Sequence, residues 1–163
     1  MHNFISEDDI EQAILNKLKT EPYCYDIIVC DADPVKRDDL NDGTGRMSKK
    51  QCVLPTILET SLLKINPSIE KEYIEKIVKD LSRDFTGSDL VDTNYKLYQQ
   101  IRNGIKIDIK RDGKPDFDFV KLVDFDNPKN NTFTAVSQMW IQGSLYYRRP
   151  DVLIFINGRG DRI

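Results

Sequence analysis

The spacing of apolar positions changes along this chain, from a helical repeat in the first two thirds to a two-residue alternation after Gly104. Behind Ser6, the residues Ile10, Ile14, Leu15 and Leu18 recur at helical spacing and predict a helix over Glu7 to Lys19. Ser6 is placed to cap it, with Asp9 three residues on as the capping-box acid, and the Glu7-Asp8-Asp9 turn suits the positive end of the helix dipole. Tyr25 to Cys30 is a short β-branched run, readable as a strand or a packed loop. Asp31 to Gln51 is polar and charged, and reads as a long, mobile loop. Three further helical patterns follow: Ile57-Leu58-Ser61-Leu62 before Pro67, Ser68 to Arg83, and Ser88 to Arg102, the last closed by Asn103-Gly104.

Beyond Gly104 the alternation of Ile105, Ile107 and Ile109 with charged residues predicts a strand. Arg111-Asp112-Gly113-Lys114 supplies its turn, and a partner strand carries Phe117 and Phe119. The pattern then predicts strands over Thr132 to Gln142 and Asp151 to Ile156, separated by Gly143-Ser144 and the Tyr146-Tyr147-Arg148-Arg149 segment. Helices first and a mixed, largely antiparallel sheet afterwards make an α+β fold. Its 163 residues are about one domain's worth, with a mainly helical part at 1–103 and a β-rich part at 104–163.

Composition narrows the chemistry. No apolar run approaches a bilayer's span, and the first residues lack an export signal, so a cytoplasmic protein without membrane contact is expected. Cys24, Cys30 and Cys52 are an odd count without metal-ligand spacing, which fits reduced thiols. The single histidine is His2, which excludes a Ser/His/Asp triad, a Cys/His pair and a histidine-ligated zinc site. Catalysis must then use carboxylates, lysines or a hard metal ion. A net charge of −3 argues against a wholly basic nucleic-acid module but not against local phosphate-binding patches.

Several motifs carry less than they suggest. Gly43 to Lys49 has a phosphate-loop flavour without the required glycine before the lysine or a strand–loop–helix setting. Arg159-Gly160-Asp161 and the acceptor Asn130-Asn131-Thr132 would matter only outside the cell. Asp116, Asp118 and Asp124 fall on one face by alternation, opposite Phe117 and Phe119, and are expected as a solvated strand face rather than a cation site. Tyr146 and Tyr147 beside Arg148 and Arg149 would suit contact with bases and phosphates, or simple edge packing.

The most informative segment is Arg148-Arg149-Pro150-Asp151 before Val152-Leu153-Ile154-Phe155-Ile156. A uniformly apolar run of this length predicts a buried central strand with a half-buried carboxylate at its entrance. Such a carboxylate is either an ion-pair partner, for instance of Arg149, or a ligand.

Together with Val123-Asp124-Phe125-Asp126-Asn127-Pro128, Asn130-Asn131, Phe133, Val136, Gln138 and Phe155-Ile156-Asn157-Gly158, the Arg149-Pro150-Asp151-Val152-Leu153 block resembles the N-terminal region of the restriction (R) subunit of type I restriction-modification enzymes. Arg102-Asn103-Gly104-Ile105 and the opening helix, with Glu7 and Glu11 ahead of its apolar stripe, add to the resemblance. The resemblance implies a PD-(D/E)xK nuclease domain, a partial restriction-endonuclease-like core. Asp151 would then be the catalytic acid and a Mg²⁺ ligand, Glu11 or less favourably Glu7 would approach the metal from the first helix, and Arg148 and Arg149 would touch DNA. It also implies a parent endonuclease that cuts double-stranded DNA, uses ATP bound outside this chain, and works with methyltransferase and specificity subunits. In that family an apolar strand carrying Glu-x-Lys follows, whereas Arg159-Gly160-Asp161-Arg162-Ile163 closes this sequence. The expectation is therefore a fragment that is inactive alone, or a retired remnant. The rival expectation is a non-catalytic DNA- or subunit-binding module, with Arg148, Arg149 and the Asp31 to Gln51 segment making the contacts.

Overall fold

A computed structural model of the chain describes residues 6–30, 40, 42–83, 90–143 and 145–160. The element order is α1 (Glu7–Lys19), β1 (Asp26–Val29), α2 (Pro55–Ile65), α3 (Lys71–Leu81), α4 (Leu90–Asn103), β2 (Ile105–Arg111), β3 (Lys114–Val120), β4 (Phe133–Ser137), β5 (Ile141–Gln142), β6 (Tyr147–Arg148), β7 (Val152–Ile156) and β8 (Arg159–Gly160). This is an α+β fold. No described helix is long and apolar enough to cross a membrane.

The central sheet runs in the order β1-β4-β7-β8. β1 pairs with β4 in parallel, and β4 with β7 and β7 with β8 are antiparallel, so the sheet is mixed. One face presents Val136 and Phe155, which pack with Leu54, Met139 and Cys30. The opposite face carries Ala135, Ser137 and Ile154, and meets α1 through Glu11. A second core joins α2 and α3 to the β2–β3 hairpin through Leu58, Leu62, Ile74, Val78, Ile107, Val120 and Leu122. Asn66, at the end of α2, ties the helices to the chain after β3: Lys121 N–H donates to its Oδ1 at 2.8 Å, and its Nδ2 donates to the Lys121 carbonyl at 2.9 Å.

Both two-residue hairpins use chemistry that favours positive φ at consecutive positions. Asp112-Gly113 joins β2 to β3 with φ of 53° and 75°, and Asn157-Gly158 joins β7 to β8 with 51° and 75°. Asn157 is fully buried. Its Oδ1 accepts from Thr132 N–H at 2.7 Å, and its Nδ2 donates to the Leu122 carbonyl at 2.9 Å and to Asn131 Oδ1 at 2.8 Å.

The first helix matches its predicted limits, and its capping box is formed by Ser6 and Asp9. Four other expectations are corrected. The run expected as one strand over Thr132 to Gln142 breaks at Gln138, whose φ of 58° ends β4 and throws β5 into a separate pairing with β6. Residues 42–51 are packed rather than loose, since Asp42, Thr44, Arg46 and Lys49 are all buried; residues 31–39 and 41 of the expected loop lie outside the described residues. β7 is flanked by strands on both sides, yet one face stays open enough to leave Ile154 41% exposed, so the strand is central without being buried on both faces.

The fourth correction concerns the acidic series. Register pairs Ile107 with Asp118 and Ile109 with Asp116, which puts these aspartates on the core-facing side and leaves Phe117 and Phe119 outside, 52% and 46% exposed. Arg111 compensates by pairing with Asp116 at 2.8 Å and Asp118 at 3.5 Å. Asp124 is buried, not solvated. It accepts from Asn130 Nδ2 at 2.8 Å and from Asn127 N–H at 3.0 Å, bonds that hold its carboxyl below the usual carboxylate range.

Candidate active site

The site forms where β4 stops. Ser137, the last residue of β4, points its hydroxyl at α1, and Gln138 follows in the left-handed region. That backbone turn is fixed from both sides: Gln138 N–H donates to the Asp151 carbonyl at 2.9 Å, and Arg149 Nε donates to the Gln138 carbonyl at 3.3 Å. Pro150 cannot donate to a ladder, so β7 begins only at Val152, opposite Ser137, and Asp151 stands just outside the sheet. The side chain expected to be half-buried is therefore exposed.

Glu11 reaches the same place from α1. One carboxylate oxygen accepts from Ser137 Oγ and the other from Gln138 Nε2. The same Gln138 amide nitrogen lies 3.4 Å from Asp151 Oδ1, a long contact. One amide thus stands between the two expected metal-binding acids. Glu7 lies one helical turn earlier and is exposed. Arg149 is not the ion-pair partner of Asp151; its guanidinium carbon sits 5.7 Å from the centre of the Trp140 ring. Arg148, on the β6 edge, is exposed together with Tyr146 and Tyr147.

Sequence reasoning did not place three participants in the site. Gln138 appears within the resembling block without a role, and the signal available was its position at the end of a β-branched run. Ser137 is its neighbour. Trp140 is linked to them through Arg149; it makes edge contact with Tyr147 at 6.4 Å, and its carbonyl accepts from the buried Arg46 at 3.0 Å. Arg46 also bonds Asp42 at 2.8 Å, Thr44 at 3.0 Å and the Gln51 carbonyl at 3.1 Å, so the glycine-bearing segment serves as a brace and not as a phosphate cradle. Burial raises the Asp42 pKa, but the bonds from Thr44 and Arg46 outweigh it and leave the carboxyl below its usual range.

The donor chemistry fits a hard cation, with two carboxylates converging on one positively polarised amide and an exposed acid open to water. Among the described residues, however, no group of three or more His, Cys, Asp or Glu is gathered as a metal cage.

Comparison with known proteins agrees with the resemblance carried by the Asp151 block. Residues 4–160 match the family model described as the type I restriction enzyme R protein N terminus. The chain is 30% identical over 158 residues to the type I restriction enzyme HindI endonuclease subunit of Haemophilus influenzae, a match covering 94% of this chain and 14% of that protein. It is 32% identical over 161 residues to a Methanocaldococcus jannaschii protein named as the type I restriction enzyme MjaIXP endonuclease subunit, an assignment its name marks as provisional, covering 91% of this chain and 14% of the relative. The chain thus spans about one seventh of the length of these relatives. With the matched span running through α1, Gln138 and Asp151, the chain belongs to the family of type I restriction enzyme R protein N termini.

Proposed function

We propose that this chain is the nuclease-bearing part of the restriction subunit of a type I enzyme. The parent would cleave double-stranded DNA with Mg²⁺ and ATP, in complex with methyltransferase and specificity subunits. The chain by itself would be inactive or nearly so, since among its described residues no group of three or more His, Cys, Asp or Glu is gathered to hold a metal ion.

One observation carries the reading: the Gln138 amide bridges Glu11 and Asp151, acids from opposite ends of the chain. In this reading Asp151 and Glu11 are the Mg²⁺ ligands. The ion, when bound, would activate water and stabilise charge developing at phosphorus. Ser137 orients the Glu11 carboxylate, Gln138 sets the separation of the two acids, and Arg148 and Arg149 hold DNA phosphates beside them. ATP belongs to another part of the parent.

Calorimetry with Mn²⁺ tests this. Weak binding by the chain should be lost in Asp151→Asn and reduced in Glu11→Gln, and kept in Arg148→Ala. Binding undiminished in Asp151→Asn would remove the metal assignment. In the full-length parent, Asp151→Ala should abolish cutting and leave ATP turnover largely intact.

A second reading, a non-catalytic DNA- or subunit-binding module, is favoured by the lack of a three-ligand cluster among the described residues. It predicts DNA or subunit binding that does not respond to divalent metal.

A further inference from the structure

Leu145 and Tyr146, between β5 and β6, are 81% and 72% exposed. Single exposed apolar residues are ordinary, but two in succession at the end of a braced ribbon call for a partner. Gly143 N–H donates to the Tyr146 carbonyl at 2.9 Å, and Gln142 N–H donates to the Lys49 carbonyl at 2.9 Å. Tyr147 stands edge-on to Trp140 at 6.4 Å, and the Arg149 guanidinium covers the same ring at 5.7 Å. The ribbon is thus tied to its support, while Leu145, Tyr146 and Arg148 stay in solvent.

Local charge identifies the partner. No acid stands between Asp126 and Asp151, a stretch in which 27 acids spread evenly over 163 residues would place about four. Arg148 and Arg149 fall within it, although the whole chain carries −3. Duplex DNA answers both features: its phosphates suit the arginines, and its base edges, thymine methyls among them, suit an apolar tip. Two strands about 4.8 Å apart fit a major groove about 12 Å wide.

The ribbon is also continuous with the carboxylate pair. The chain from Tyr146 to Asp151 reaches at most about 17 Å, or about five base-pair steps. Between them, Arg149 Nε donates to the carbonyl of Gln138, whose side chain touches Glu11 and Asp151.

We propose that the β5–β6 ribbon enters the major groove of duplex DNA, with Leu145 and Tyr146 on base edges and Arg148 on a flanking phosphate, within about five base pairs of the phosphate that meets Asp151. This rests on the nuclease reading for the identity of the partner.

Anisotropy of a labelled, thymine-rich duplex measures binding by the full 163-residue chain at several salt concentrations. Tyr146→Ala and Leu145→Ser should each weaken binding about tenfold with the salt slope unchanged, since neither residue is charged, whereas Arg148→Gln should lower the slope by about 0.9. Replacing every thymine with uracil strips methyl groups from the major groove. Wild-type binding should then weaken about fourfold, and Leu145→Ser should be indifferent. Phe117→Ser, which removes an exposed aromatic from β3, should leave affinity unchanged. Both tip variants should keep Tm within about 1 °C, because their side chains are in solvent.

No duplex binding, unchanged affinity in both tip variants, an equal loss in Phe117→Ser, or a salt slope that falls in Tyr146→Ala would overturn the proposal. A Tm fall of more than about 3 °C in the tip variants would trace the loss to folding and overturn it as well. Tip variants of the parent that bind duplex normally but fail to assemble with its other subunits would assign the tip to a protein partner instead. Mn²⁺ binding separates these failures from that of the nuclease reading. Asp151-dependent metal binding with indifferent tip variants sinks only the ribbon, whereas tip-dependent duplex binding without metal binding sinks only the metal assignment.

Discussion

Gly113 and Gly158 have the same backbone conformation, φ of 75°, and occupy the second position of matching two-residue hairpins, yet their surroundings differ completely. A Cβ added at Gly113 meets nothing within 4 Å. One added at Gly158 would lie 2.6 Å from the Leu58 nitrogen, 2.7 Å from the Leu54 carbonyl oxygen and 3.1 Å from the Leu58 Cα, all main-chain atoms of α2 or its approach. Gly113→Ala should therefore cost only the left-handed penalty, about 1 kcal/mol. Gly158→Ala carries the same penalty. In addition it forces the β7–β8 turn away from α2, an overpacking cost of about 1–3 kcal/mol, and strains the 2.7 Å bond from Leu54 N–H to the Gly158 carbonyl, about 1 kcal/mol more. The difference between the two variants is expected at about 2–4 kcal/mol, a large fraction of a domain's total stability. Urea unfolding followed by circular dichroism measures it, with an unchanged m-value indicating that only stability moved. Equal losses within about 0.5 kcal/mol would refute the reasoning, since the shared φ would then account for everything.

Asn157→Ala leaves the Leu122 carbonyl, the Thr132 N–H and Asn131 Oδ1 each short of a buried partner, and should cost about 3–4 kcal/mol in the same unfolding assay. Asp42 and Asp124 have folded-state pKa values below their unfolded ones, so their contribution is present above the unfolded carboxylate range and is lost as pH falls through the folded values. Stability should accordingly drop on acidification below about pH 4, and Asp42→Asn should flatten that part of the profile. Burial, reinforced by the negative charge of Asp42, pushes the Cys30 thiol up to about 11, so alkylation with iodoacetamide at pH 8 should label the exposed Cys24 and spare Cys30 until the protein is unfolded. Equal labelling of both in the native protein would contradict the burial of Cys30.

Much of this fold can be read from local sequence because its signals are local. The cap of α1, the Asp112-Gly113 turn and the helical stripe of Ile74, Ile77, Val78 and Leu81 each depend on residues a few positions apart. The face of the β2–β3 hairpin could not be read this way. Alternation separates Phe117 and Phe119 from Asp116 and Asp118 but does not say which set faces the helices, and Val120 and Ile107 settle it in favour of the acids. For the proposed site, the family resemblance put Asp151 and Glu11 forward as candidates, and in the structure both contact the Gln138 amide. Gln138 was missed because its part comes from contacts between residues distant in sequence, one amide meeting an acid from the first helix and another from the mouth of β7.

The bonds from Ser137 and Gln138 to Glu11 join residues 126 and 127 positions apart. Chain closure on that scale comes late in folding, after local helices and hairpins have formed. A nascent polypeptide that has released α1 but not β7 cannot bring its acids together, however well the early helices have settled. On the nuclease reading, docking of α1 beside the end of β4 would be one precondition for cutting by the parent, so a half-made parent would stay harmless to the genome of the cell producing it.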